Sequence, residues 1–478
     1  MRLSAVALAA AALPPLALAA PASVPAPRSL SSLLTSYLPP SVDPFYRAPS
    51  AGALAAAAPG DILATRAVHT AYDAVAQTTH QVLYRTTGAD GEPDATVATL
   101  FRPLVPAQPA RIMLLMPPTD SACVDCQTSY ALVNHRNPLD ISLTTATALN
   151  AATNGLDILA GLSKGWFVAL PDHEGSKAAF ISGVSEAFAG LDGLRALLHD
   201  EEILPAAERD GYKAVIHGYS GGGHGSAWAT QFLGTYGKGL NVIAAAYGGV
   251  PVDLFATLKG LNKSLFASLA FSALAGMANA YPELDAWIAA NVNARGKAKF
   301  AQARSDCNSF ISAPGADVYS YLTRGAAALD DPVPQKYFAL GLLGQPLSAE
   351  QTGGAAATDG RIAVPTFQYH SASDEIVAYG PVPGYVADQC ARGARITLAT
   401  TALSGHITAL IEFLGDAYIF MDNAFAGRFG AEGCSEQHSI VAPLFSKAYV
   451  DAIGAQAWNQ VRALNGRNVG GEVVHLPA

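Results

Sequence analysis

Six short runs constrain this chain more than any other feature. Arg111–Met116, Trp166–Leu170, Lys213–Tyr219, Val242–Ala246, Val364–His370 and Arg395–Thr400 are each continuous and apolar or β-branched. A strand with one wet face alternates polar with apolar, whereas a strand covered on both faces does not need to. The runs therefore predict a parallel sheet with helices on both sides, and helical patterns over Ala178–Leu198, between two of the runs, and Ile407–Phe425, after the last, supply them. Ahead of the runs, His80–Thr86 and Ala95–Phe101 flank a Gly/Asp/Pro turn and predict an antiparallel hairpin.

The third run leads into Gly218-Tyr219-Ser220-Gly221-Gly222, and a helix-like stretch, Ser226–Leu233, follows. A serine between strand and helix, with glycine two residues to either side, is the pattern of a nucleophile elbow, because the sharp turn leaves no room for neighbouring Cβ atoms. The pattern alone is weak in a chain with 44 glycines, and its strand-to-helix context is what gives it weight. Two antiparallel strands followed by six parallel ones, with the elbow after the third of these, predict an α/β-hydrolase fold.

From about Val250 to Gly344 the strand signal stops, and Ala/Leu-rich helical pieces such as Ser264–Leu274 take over. A membrane span over Leu265–Tyr281 is the alternative, but it would put Ser220 and everything after the span on opposite sides of a bilayer. An inserted helical cap, or lid, is the reading adopted, its apolar faces packed on the core or lining a greasy entrance. The expected organisation is a signal peptide over 1–20, hydrolase core over 21–249 and 346–440, the cap over 250–345, and a tail or flap over 441–478.

A serine hydroxyl needs a histidine to take its proton, and the histidine needs a carboxylate to fix its tautomer. In this fold the chain order is serine, acid, histidine. Asp374 lies just past the run ending at His370, and His406 just past the next run. Ser220, Asp374 and His406 are thus the expected triad, with Glu375 competing for the acid and His370 or His438 for the base. An oxyanion hole uses the N–H after the nucleophile, here Gly221, and a second donor from the loop Pro117–Ser121, where Thr119, Asp120 and Ser121 are open alternatives. His217 reads as a strand residue buried beside the elbow and His224 as a first-turn helix residue, neither needed as a base, and Asp172, His173 and Glu174 as structural hydrogen-bonding groups rather than a metal cluster, since adjacent residues at a strand end point in different directions.

Composition narrows the setting. One positive charge, an apolar stretch and small residues at Ala19 and Ala20 read as a secretory signal peptide, and hence a secreted, extracellular chain. A net charge of −9 with no basic run argues against nucleic acid. Five cysteines in an exported chain suggest two disulfides and a leftover thiol, with the pairing open and Cys123-x-x-Cys126 a competing redox motif. No Cys/His spacing resembles a metal site, and a serine mechanism requires no cofactor.

The elbow, the stretch Asp172-His173-Glu174-Gly175 running on to Phe180, Leu191–Leu197 and the acid segment Asp374–Val377 together resemble the fungal secretory lipase family, over residues 40 to 440. The Asp-His-Glu-Gly stretch is the specific part, because no general property of hydrolases demands it. The resemblance implies a secreted triacylglycerol lipase or esterase acting on lipid or ester substrates at a lipid–water interface, without a stable membrane span. It implies Asp120 as the second oxyanion residue, and the pairs Cys126 with Cys307 and Cys390 with Cys434, with Cys123 outside the pattern. A short-chain carboxylesterase or acyltransferase is the alternative; a serine carboxypeptidase or a non-catalytic hydrolase-fold binding protein fits less well.

Overall fold

The computed structural model describes residues 37–134, 146–430, 432–440 and 446–464, with a few positions up to 473; the expected signal peptide lies outside the described residues, as does part of the 441–478 tail. The chain builds a ten-stranded sheet from β1 (Ile62–Ala67), β2 (Ala76–Thr87), β3 (Pro93–Pro103), β4 (Arg111–Met116), β5 (Phe167–Pro171), β6 (Lys213–Tyr219), β7 (Val242–Gly248), β8 (Thr366–Ser371), β9 (Ile396–Thr401) and β10 (Ser435–Ser439), in the order β1-β2-β3-β5-β4-β6-β7-β8-β9-β10. The first three strands are antiparallel, β3 runs antiparallel to β5, and β5 through β10 are mutually parallel. This is the α/β-hydrolase arrangement.

Strand β4 shows why the apolar runs are continuous. Ile112, Leu114 and Met116 belong to a core beneath the helices Gly183–His199 and Gly221–Phe232, while Met113 and Leu115 belong to a second core beneath the helix His406–Phe425. Both faces are dry, so both residue parities are apolar.

The structure departs from the sequence reading in four places. Strand β1 adds a third antiparallel strand, and β10 extends the parallel edge with polar, mostly exposed residues that carry no apolar signal. The helix expected from Ala178 starts only at Gly183, because Ala178 and Ile181 take left-handed backbone angles, φ 49° and 63°, that no helix continues through. The helix within Ser264–Leu274 starts at Ala267, since Ser264 Oγ accepts the Phe266 N–H in a local turn at 3.0 Å.

Between β7 and β8 the chain forms the helices Leu254–Leu261, Ala267–Ala280, Pro282–Asn291, Ala294–Ala303 and Pro332–Leu340. Their buried side chains form one apolar cluster that also takes in Ala122, Phe180, Ile181, Ile376 and Val377 from loops at the carboxyl ends of the strands. Among the described residues no helix is long and apolar enough to cross a membrane.

Candidate active site

Strand β6 ends at Tyr219 and a helix begins at Gly221, leaving Ser220 alone in the turn with φ 57° and ψ −123°. A non-glycine residue held there costs on the order of 1–3 kcal/mol and must be over-determined by its surroundings. Two main-chain bonds help: the Ser220 N–H donates to Gly248 O at 2.9 Å, and the Ser220 carbonyl accepts the His224 N–H at 2.9 Å. The flanking glycines are sterically required. A Cβ on Gly218 would strike the Gly222 carbonyl and Ser226 Oγ, and one on Gly222 would strike the Met116 carbonyl.

Asp374 and His406 reach Ser220 from the ends of β8 and β9. Asp374 is pinned by its own turn, where Oδ1 accepts the N–H groups of Ile376 at 2.9 Å and Val377 at 2.7 Å. Its Oδ2 lies 2.6 Å from His406 Nδ1, and His406 Nε2 lies 2.9 Å from Ser220 Oγ. His406 opens the helix His406–Phe425; its N–H donates to Glu375 Oε2 at 3.0 Å and its carbonyl accepts the Tyr219 hydroxyl at 2.6 Å. Burial alone would raise the Asp374 carboxyl, but the neighbouring His406 and a hydrogen bond from His370 outweigh it and hold the group well below the usual carboxylate range. An ionised Asp374 only accepts, so Nδ1 carries the proton and Nε2 is free to accept from Ser220. The hydrogen-bonded chain can make the serine nucleophilic.

The competitors occupy different positions. Glu375 holds the His406 backbone, and His370 Nε2 sits 3.3 Å from Asp374 Oδ2. His438 is exposed on β10, between Thr400 Oγ1 at 2.7 Å and Glu436 Oε2 at 3.0 Å.

Asp120 follows β4 with a left-handed φ of 55°. Its Oδ1 is buried without a hydrogen-bond partner and lies so close to Gly221 that a Cβ there would collide with it. Burial pushes the Asp120 carboxyl up to about 7, with His406 opposing and Glu186 adding to the rise. Asp120, Ser220 and Gly221 share a cleft of about 550 Å³ whose other walls are nearly all apolar, among them Phe180, Leu258, Leu261, Ala273 and Met277. Thr119 bonds Thr128 across 2.9 Å, and Ser121 Oγ accepts the Cys123 N–H at 3.2 Å, so both side chains are engaged within the loop.

Behind this loop lies a buried polar layer that the sequence reading did not resolve as a unit. His224 Nδ1 meets Glu186 Oε2 at 2.6 Å, the Trp228 indole donates to His224 Nε2 at 3.0 Å, and Glu186 Oε1 accepts the Ile181 N–H at 2.7 Å. On the opposite face of the sheet, beside Tyr418, His217 spans Ala246 O at 2.7 Å and Asp157 Oδ1 at 2.9 Å. The signal available was the Asp-His-Glu run itself, three ionisable groups beside an otherwise apolar strand.

Cys126 is bridged to Cys307, tying the loop after β4 to the helical insertion, and Cys390 to Cys434, tying the helix Val382–Ala391 to the segment before β10. Cys123 is a buried free thiol whose sulfur lies within 4.8 Å of both bridged sulfurs, Cys126 and Cys307, and because those two are joined in a disulfide the group offers a single thiol.

Comparison with known proteins agrees with this architecture. The sequence model of the secretory lipase family matches residues 140–433. Lipase A of Moesziomyces aphidis is 33% identical over 430 residues, covering 89% of this chain and 88% of its own. A secreted triacylglycerol lipase of Malassezia globosa is 28% identical over 424 residues, covering 86% of this chain and 84% of its own. The crystal structure of Candida antarctica lipase A in its closed state superposes with a TM-score of 0.80 at 30% identity, over 92% of this chain and 99% of that one.

Proposed function

This chain belongs to the secretory lipase family and is a lipase, a hydrolase of carboxylic esters, and we propose that it works by acyl transfer through Ser220, with His406 as base and Asp374 as the acid that orients it. The observation that carries the reading is the unbroken line Asp374 Oδ2, His406, Ser220 Oγ at 2.6 and 2.9 Å, ending at the wall of an apolar cleft.

His406 Nε2 takes the Ser220 proton as Oγ attacks the ester carbonyl, and the tetrahedral oxyanion forms beside Gly221. The Gly221 N–H, at the start of a helix, and the Asp120 carboxyl supply its two hydrogen bonds. A carboxylic acid serves as a donor only while it is neutral, the state that burial favours for Asp120. The leaving alcohol takes the proton from His406, and water activated by the same histidine releases the fatty acid.

The cleft walls point to the acyl group of a lipid. Leu254, Leu258, Leu261, Leu269 and Met277 come from the helical insertion, which we read as a cap that shelters the chain of the substrate. Export from the cell is part of the same reading, resting on the 1–20 segment and the secreted relatives.

A panel of p-nitrophenyl esters from acetate to palmitate, with an emulsified triacylglycerol beside it, tests the substrate class. The expected result is activity on the long esters and on the emulsion. Activity confined to acetate and butyrate would refute the lipid reading and leave ester hydrolysis standing.

A further inference from the structure

The proposed reaction makes no use of the Asp172-His173-Glu174-Gly175 run, the most specific stretch of the sequence. Asp172 is engaged by Ser129, accepting its N–H at 2.8 Å and its hydroxyl at 2.5 Å. His173 packs on the helix after Ser220, where a Cβ on Gly225 would come within 3.0 Å of its ring. Glu174 has no such anchor. It is 1% exposed, and neither carboxyl oxygen meets a partner at full hydrogen-bond geometry, the nearest donors being the backbone N–H groups of Asp120 and Ser121. It lines a small cavity of about 330 Å³ with polar walls at Thr86, Thr87, Asp94, Lys177 and Ser185.

What faces its carboxyl is informative. The backbone N–H groups of Ser121 and Asp120 draw on it, while Glu186 and Asp120 repel its ionised form. Burial and these acids push the group well above the carboxylate range, which favours the neutral acid. A neutral carboxyl has a carbonyl oxygen that can accept from those N–H groups and an O–H that can donate toward the polar walls of the cavity it lines. A buried acid with no other partner is costly unless it has work there. A left-handed, non-glycine Asp120 likewise persists only if something behind it holds the peptide.

We propose that Glu174 is a positioning residue: its carboxyl backs the Asp120–Ser121 peptide, drawing the Asp120 N–H away from the active site so that Asp120 presents its side chain to the oxyanion. The Asp-His-Glu-Gly run then has one purpose in three parts. Asp172 fixes the loop at Ser129, His173 abuts the nucleophile's helix, and Glu174 sets the peptide between them. This inference rests on the reading of Ser220 as nucleophile and Asp120 as oxyanion donor.

The test compares Glu174→Gln, Glu174→Ala and Glu174→Leu with the parent, each rate divided by the active sites titrated with a fluorophosphonate at Ser220. Gln keeps the carbonyl acceptor and places NH₂ toward the cavity, so kcat per titrated site is expected to stay within about threefold of the parent. Ala, and Leu should Ala fail to fold, are expected to lose kcat by about 10- to 100-fold with KM nearly unchanged, short of the full loss of an oxyanion donor. A residue that only stabilises the fold would lower melting temperature and the titrated fraction, and leave kcat per site alone. That outcome, or an equal loss in Gln and Ala, overturns the proposal. A parent protein not labelled at Ser220 would overturn both this inference and the mechanism beneath it, which separates the two failures.

Discussion

Replacing Asp120 with asparagine should remove the alkaline limb of the pH–rate profile. A carboxyl group in an oxyanion hole has a sign requirement: neutral, it donates a hydrogen bond to the developing charge, and ionised, it repels that charge. Asp120 is pushed by burial up to about 7. Below that pH the donor is present, and above it the donor is lost in proportion to ionisation. An oxyanion donor is worth about 2.7–4 kcal/mol, or 10²–10³ in rate. The parent kcat/KM should therefore fall about tenfold per pH unit above 7 and level off after two to three units, where the Gly221 N–H acts alone. The carboxamide of Asp120→Asn donates without titrating, so its profile should stay flat through the same range, while Asp120→Ala should lie low at every pH. Initial rates on a soluble p-nitrophenyl ester between pH 5 and pH 10 make the measurement. The same shift acts on the fold. With the folded value raised above the unfolded one, the stability contributed by neutral Asp120 is full below pH 3.8 and lost as pH rises through about 7. The asparagine variant should accordingly melt higher than the parent at pH 8. A parent profile flat from pH 6 to 9, or an asparagine variant that keeps the descending limb, would refute the side-chain donor.

Three other outcomes follow from the same geometry. Asp374→Asn leaves shape nearly intact but offers NH₂ to His406 Nδ1, favouring the wrong tautomer, and should cost on the order of 10⁴ in kcat with little change in KM. Ala273→Phe places a ring in the cleft wall shared with Leu258 and Met277, and should depress palmitate hydrolysis far more than acetate hydrolysis in the ester panel. Reducing or deleting the Cys126–Cys307 bridge, which spans 181 residues, should cost at least about 2 kcal/mol of stability in denaturant unfolding, whereas Cys123→Ser should be close to neutral.

How much of this was legible in the sequence depends on where each residue's information lies. Strands β4 to β9 were readable because burial on both faces favours continuous apolar or β-branched runs, as Ile112 to Met116 illustrate. Strand β10 was not, because an exposed edge strand such as Glu436-Gln437-His438 pairs through its backbone and places no demand on its side chains. Ser220, Asp374 and His406 were placed by their positions just after strands, where a parallel sheet gathers its loops. Asp120 could not be chosen over Thr119 or Ser121 without the family resemblance, since what distinguishes it is an orphaned oxygen against Gly221, a contact made across the fold. The layer of Glu174, Glu186 and His224 escaped for the same reason. Charged residues normally lie at the surface, and only tertiary packing shows that these are buried.

Trapping the acyl-enzyme tests the central claim most directly. A turnover with a p-nitrophenyl ester, quenched in acid within its burst and digested for mass spectrometry, should yield an acyl adduct on the peptide carrying Ser220, with no adduct and no burst in Ser220→Ala. An adduct on another residue, or a Ser220→Ala variant that hydrolyses the ester at the parental rate, would contradict the account.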